Sequence, residues 1–171
     1  MKMMNIRILY CCLLLALAVA ASSAQTKTTV SGTCSKPDAQ SIPAGDKPDH
    51  VFIIAQGKCT TTKGEIAGVM SKDGTFSEHD DATPSHMRGW GVYTENYANG
   101  DKVFYNYQLS VATKDGAVQS GHNTYQATGG TGKMKGVKGK GTCTYTPGTD
   151  GGLNFSCHGE YTLAGGAMAA K

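Results

Sequence analysis

Short apolar runs and stretches of alternating polar and apolar residues, separated by glycine-rich turns, dominate this chain and predict strands rather than helices. A first short strand is expected within "TVSGTCSK", with Gln25–Val30 as a loose arm and the breaker-rich "PDAQSIPAGDKP" as a loop. "DHVFIIAQGKCT" has a continuous apolar centre and predicts a buried strand. The following "TKGEIAGVMSKDGTFSEHDDATPSHMR" is the least regular part. It predicts strands near Glu65–Met70 and Thr75–His79, divided by an Asp73-Gly74 turn. In "RGWGVYTENYANGDKVFYNYQLSVAT", Asn99-Gly100 lies between two strand-like runs and is a strong hairpin signal. Pairing about it as a two-residue turn puts Trp90, Val92, Thr94 and Asn96 on the core face with Val103, Tyr105, Tyr107, Leu109 and Val111. Tyr93, Glu95 and Tyr97 then point outward with Phe104, Asn106 and Gln108. A turn at Lys114–Gly116 leads into "AVQSGHNTYQAT", and two further strands follow in "KMKGVKGKGTCTY" and "LNFSCHGEYTL".

"GGTGKMKGVKGKGTC", Gly129 to Cys143, has the look of a phosphate cradle. The P-loop spacing fails, because Ala127 stands at the first glycine position and Met134 replaces the hydroxyl residue. No helix can follow comfortably through Gly136, Gly139 and Gly141. The glycines fit a tight turn and a bent strand. Lys133, Lys135, Lys138 and Lys140 change parity between pairs, so a β-bulge near Gly136-Val137 would keep all four outside, with Met134, Val137, Cys143 and Tyr145 inside.

"GGTGKMKGVKG" resembles the Gly-Gly-Ser/Thr-Gly, aromatic, Gly-small-x-Gly segment of allene oxide cyclases and plant dirigent proteins, with Met134 where those families carry Phe. The likeness covers about a dozen residues, and the order of strands is compatible over most of the chain. It implies an all-β fold: an antiparallel eight-stranded barrel of the allene-oxide-cyclase type, with trimers common among its relatives. An exported bacterial branch of this superfamily fits best, stapled by disulfides that the plant members lack. The relatives' catalytic polar residues do not map onto this chain, so the shared turn speaks to fold and not to reaction.

The ends set the compartment. Lys2 and Arg7 precede the apolar run "ILYCCLLLALAVAA", and "SSAQ" offers a cleavage site after Ala24. Residues 1–24 are therefore expected to be a secretory signal peptide, residues 25–163 the barrel domain and residues 164–171 a mobile tail. The run is short for a span, so stable membrane insertion is not expected. Four cysteines remain in the mature chain, which suits a periplasmic or extracellular protein. Centring a hairpin on Asp150 places Cys143 opposite Cys157 and Tyr145 opposite Phe155, and leaves Cys34 to pair with Cys59. Two of the basic residues behind the net charge of +3 lie in the leader, so the mature domain is nearly neutral and offers no electrostatic footprint for nucleic acid.

Candidate chemistry falls into two groups. Trp90, Tyr105, Tyr107, Phe155 and Tyr161 could line an apolar cavity or simply pack a core. Glu78, His79, Asp80, Asp81 and His86, within "SEHDDATPSH", could ring a barrel mouth. They lack the spacing of a metal framework, so no metal and no cofactor is expected. Tyr93, Tyr97 and Phe104, read as outward, suggest a subunit interface and hence a homo-oligomer. Three functional readings stay open: a barrel binding a small apolar ligand, a cyclase- or isomerase-type enzyme, and a non-catalytic envelope module. An inward polar dyad would favour the enzyme.

Overall fold

A computed structural model describes residues 25–164. The expected leader and nearly all of the expected tail lie outside the described residues.

The described chain is all-β and forms a closed antiparallel barrel. Its strands are β1 (Thr26–Cys34), β2 (Asp38–Pro43), β3 (Val51–Lys63), β4 (Glu65–Ile66), β5 (Val69–Thr83), β6 (His86–Tyr97), β7 (Lys102–Lys114), β8 (Ala117–Gly130), β9 (Lys138–Pro147) and β10 (Leu153–Thr162). Eight of them close the ring in the order β3-β1-β10-β9-β8-β7-β6-β5, and β5 pairs back onto β3. β4 forms a small hairpin with β5, and β2 pairs with β3 beyond the end of β1. Neighbours in sequence are mostly neighbours in space, as a meander requires.

Side chains alternate in and out along each strand, which gives the wall two faces. One end is plugged. Gly132–Met134 forms a single 3-10 turn, and Met134 is wholly buried with Ile66, Tyr97, Val103, Ala127 and Val137. The other end carries the β5–β6, β7–β8 and β9–β10 hairpins.

Large inward rings are housed by glycines on adjacent strands. Tyr107 lies over Gly91, Tyr93 over Gly74, and Tyr125 over Gly141 and Gly159. A Cβ at any of these glycines would collide with the ring. The glycine-rich composition is thus partly a packing code, of the kind that pairs strand glycines with aromatics in curved sheets.

Two disulfides join directly opposed residues: Cys34–Cys59 between β1 and β3, and Cys143–Cys157 between β9 and β10. The β9–β10 register pairs Tyr145 with Phe155 and His158 with Thr142.

Other expectations need correction. Thr26–Val30 is no loose arm, because it pairs with β10 from Tyr161 to Cys157. Asp38–Pro43 is a strand inside the supposed loop. β3 is not buried on both faces, since Phe52 and Ile54 are exposed. β5 runs straight through Asp73-Gly74, and the turn lies at Ala67-Gly68. The four lysines are exposed, but the 3-10 turn, not a bulge, breaks their parity, and β9 starts only at Lys138. The β6–β7 hairpin pairs Asn96 with Lys102 and Tyr93 with Tyr105, one residue from the expected register. That slip turns β6 over: Tyr93, Glu95 and Tyr97 face inward and Trp90 and Val92 face solvent.

Candidate functional site in the barrel interior

β5 carries the acidic centre of the barrel. Alternation along "SEHDD" sends Glu78 and Asp80 inward and His79 and Asp81 outward. Asp80 is 3% exposed, opposite Gly89, whose missing side chain leaves room for the carboxyl. Next along the same inner layer come Leu109, Asn123 and Cys143. Glu78 sits one layer deeper, level with Gly91, Tyr107, Tyr125 and Gly141.

Phenols and one amide surround the pair. The Tyr107 hydroxyl donates to Glu78 Oε2 at 2.6 Å. Asn123 donates to the Tyr145 hydroxyl at 2.6 Å, and its Oδ1 accepts from the backbone N–H of Cys143 at 3.1 Å. The Asn123 side chain thus uses both its nitrogen and its oxygen to bracket β8 to β9.

The electrostatics follow from burial. Loss of water pushes the Glu78 carboxyl up from its usual range, and the Tyr107 hydrogen bond only partly offsets this. Asp80 is pushed up to about 7, first by burial and then by the nearby Glu78 charge. Tyr107 and Tyr145 are raised mainly by burial and then by Glu78, so both remain protonated donors. Tyr125 is pushed up to about 12 by burial and then by Glu95.

A second buried acid, Glu95, offers a contrast. It accepts hydrogen bonds from Ser71, from Tyr97 at 2.9 Å and from Tyr105 at 3.1 Å. Three hydroxyl donors satisfy it, as a structural buried carboxylate requires. Asp80 Oδ1 is buried and has no hydrogen-bond partner among the described residues. Unlike Glu95, Asp80 is not built into a closed network.

The residues singled out from sequence are therefore divided. Tyr105, Tyr107, Phe155 and Tyr161 point into the barrel. Tyr105 serves Glu95, Phe155 covers Gly32, and the Tyr161 hydroxyl accepts from the Ala67 N–H at the plugged end. Trp90 is outside, 47% exposed and stacked on His79. Of the five acidic and histidine mouth candidates, Glu78 and Asp80 lie inside. Asp81 binds His50 on the outer face, and His86 sits at the β5–β6 hairpin beside Arg88 and Ser110. Tyr93 and Tyr97 are interior residues, which removes them from any subunit interface. Asp80, Glu95 and Asn123 are interior polar groups that the sequence left unresolved: Asp80 is grouped there with its outward neighbours, Glu95 is read as outward, and Asn123 is not singled out. The even parity of Glu78 and Asp80 was the available signal for the first of these.

Among the described residues, no group of histidine, cysteine and carboxylate side chains is placed to hold a metal ion, and no helix is long and apolar enough to cross a membrane. No family model, curated protein or solved structure matches the chain.

Proposed function

We propose that this protein is an exported small-molecule barrel of the allene-oxide-cyclase type, and that Asp80 and Glu78 exchange protons with a ligand admitted from the hairpin end, one carboxyl giving a proton and the other taking one. Two disulfides support an oxidising compartment. A closed eight-stranded barrel plugged by its glycine-rich turn supports the fold-level likeness.

The observation that carries the proposal is the buried Asp80 with the half-buried Glu78 on the same inner face; Asp80 is held at about 7 and lacks a partner for one oxygen. An acid poised near neutral pH is suited to general acid–base work. The Tyr107 hydroxyl donates to Glu78, the Tyr145 hydroxyl accepts from Asn123 and keeps its own proton to donate, and Leu109 and Val111 supply apolar wall. This lining fits a compact, largely apolar molecule bearing a carbonyl or hydroxyl group better than a pure hydrocarbon. The reaction class would be isomerisation or cyclisation by proton transfer, with no cofactor.

Proton transfer leaves an isotopic trace. Protein purified from its source and incubated in D2O should retain a small molecule that keeps carbon-bound deuterium after return to H2O, read by native mass spectrometry. Asp80→Asn should retain the same molecule without the exchange. A barrel that retains nothing, or a variant that exchanges as fast as the parent, would overturn the proposal.

A further inference from the structure

The outer wall carries a second feature, independent of the interior acids. A groove of about 1010 Å³ crosses the outside of β3 and β5–β9, and its lining includes, between the outward side chains, Glu78, Gly91, Tyr107 and Tyr125 of the inward-facing layer. Two transverse rows of outward side chains build it. In the first, Ile54, His79, Trp90, Gln108 and Thr124 stand opposite one another on successive strands. In the second, the order is Ser77, Val92, Asn106, Gln126 and Lys140.

Taken together, the rows pass from Ile54, Trp90 and Val92 on one side to Asn106, Gln108, Thr124 and Gln126 on the other. Trp90 is 47% exposed although His79 covers part of it, the two rings lying 5.6 Å apart and 20° from parallel. Val92 and Ile54, at 54% and 63%, extend this apolar side. Asn106, Gln108, Thr124 and Gln126 then offer donors and acceptors without charge. Lys140 is the one lysine or arginine in the rows, and Glu160 pairs with it at 3.4 Å. The Glu78 carboxyl points to the other side of the wall, toward Tyr107.

We propose that this groove binds a neutral carbohydrate. A pyranose ring presents a flat face of C–H groups and a rim of hydroxyls, which match an exposed indole beside a row of uncharged amides. Two interstrand spacings separate Trp90 from Thr124, roughly 10 Å, enough for two sugar rings. Other occupants fit less well. An anionic polymer or lipid headgroup would meet no unpaired lysine or arginine in the rows. An acyl chain would strip water from Asn106, Gln108 and Gln126 without replacing their hydrogen bonds. An extended peptide would find backbone groups already paired on both sides of β6, β7 and β8.

Trp90 is the chain's single tryptophan, so its emission reads this groove directly. Titration with neutral oligosaccharides of glucose, mannose, xylose and N-acetylglucosamine should shift that emission and shield it from acrylamide for at least one of them. Gln108→Ala keeps the fluorophore and should weaken the response about tenfold. Trp90→Ala should lose retardation in native gels containing the matching polysaccharide, with its thermal melt confirming that it folds. Asp80→Asn, which alters only the interior, should bind sugar like the parent, so this test is separable from the proton-transfer one. The proposal is overturned if no neutral sugar moves the emission, if Trp90→Ala is still retarded, or if polygalacturonate or anionic vesicles produce the shift and neutral sugars do not.

Discussion

A carboxyl group held at about 7 inside a barrel is neutral below that pH and charged above it, and burial penalises the charged form. For Asp80 the folded value lies above the ordinary 3.8, so its contribution to stability is fully present below about 3.8 and is lost as the pH rises through 7. Asp80→Asn removes that dependence. The variant should melt close to the parent near pH 4 and higher than the parent at pH 8, by differential scanning calorimetry in matched ionic strength. A parent whose melting rises between those values relative to the variant would show that Asp80 is not held neutral in the fold. The same residue marks how far single positions were legible. Strict alternation already places Glu78 and Asp80 on one face of β5, but the Asp73-Gly74 dipeptide looked like a turn and cut the strand short. Gly74 is not there to bend the chain. It sits beneath the Tyr93 ring, a demand made by a residue about twenty positions away that local chemistry does not reveal.

Elements were legible where the turn and both strands agreed. The β9–β10 register followed from a turn cluster flanked by two cysteines, and both disulfides have the expected partners. Three glycine dipeptides show why the signal fails elsewhere. Asp115-Gly116 is a true two-residue turn with positive φ at both positions. Asp73-Gly74 is mid-strand. Asn99-Gly100 is a turn, but the loop is longer: the Tyr97 N–H donates to Asp101 O, and the Asn99 and Asp101 side chains bond across it. One added residue inverted the reading of β6 and, with it, Trp90 and Glu95. The segment between β2 and β3 has its own electrostatic latch. His50 bridges Asp46 at 2.5 Å and Asp81 at 2.9 Å, and hydrogen bonds to these two carboxylates raise its pKa. A raised histidine contributes stability below its ordinary 6.5 and loses it as the pH climbs through the folded value. Amide exchange, corrected for its intrinsic pH dependence, should therefore accelerate selectively at Asp46–His50 as alkaline pH is approached. In Asp81→Asn the NMR titration of His50 should move to lower pH. An unchanged titration would mean that the bridge to β5 does not persist in solution.

Closure of the whole barrel depends on a seam that is short in both space and sequence pairing. β1 meets β3 through only Ser31–Cys34 against Lys63–Cys59, with the register shifting at Ser31/Gly32, and Cys34–Cys59 lies at one end of that contact. Cys143–Cys157 instead crosses a hairpin paired continuously from Lys138 to Pro147. Chain entropy alone separates the two crosslinks only slightly. Their sequence separations of 25 and 14 correspond to about 3.5 and about 3 kcal/mol of stabilisation. Closure adds a difference that entropy does not contain. Once Cys34–Cys59 is gone, a local opening at the seam turns a ring into a sheet with two free edges, whereas β9 and β10 remain zipped by their turn. Cys34→Ser with Cys59→Ser should therefore lower the urea midpoint more than Cys143→Ser with Cys157→Ser, by a margin clearly above the roughly 0.5 kcal/mol that loop length explains. It should also speed amide exchange in β1 and the second half of β3 while leaving β6–β8 protected. Equal midpoints, or exchange that rises evenly around the ring, would mean that the barrel holds its seam by strand pairing alone.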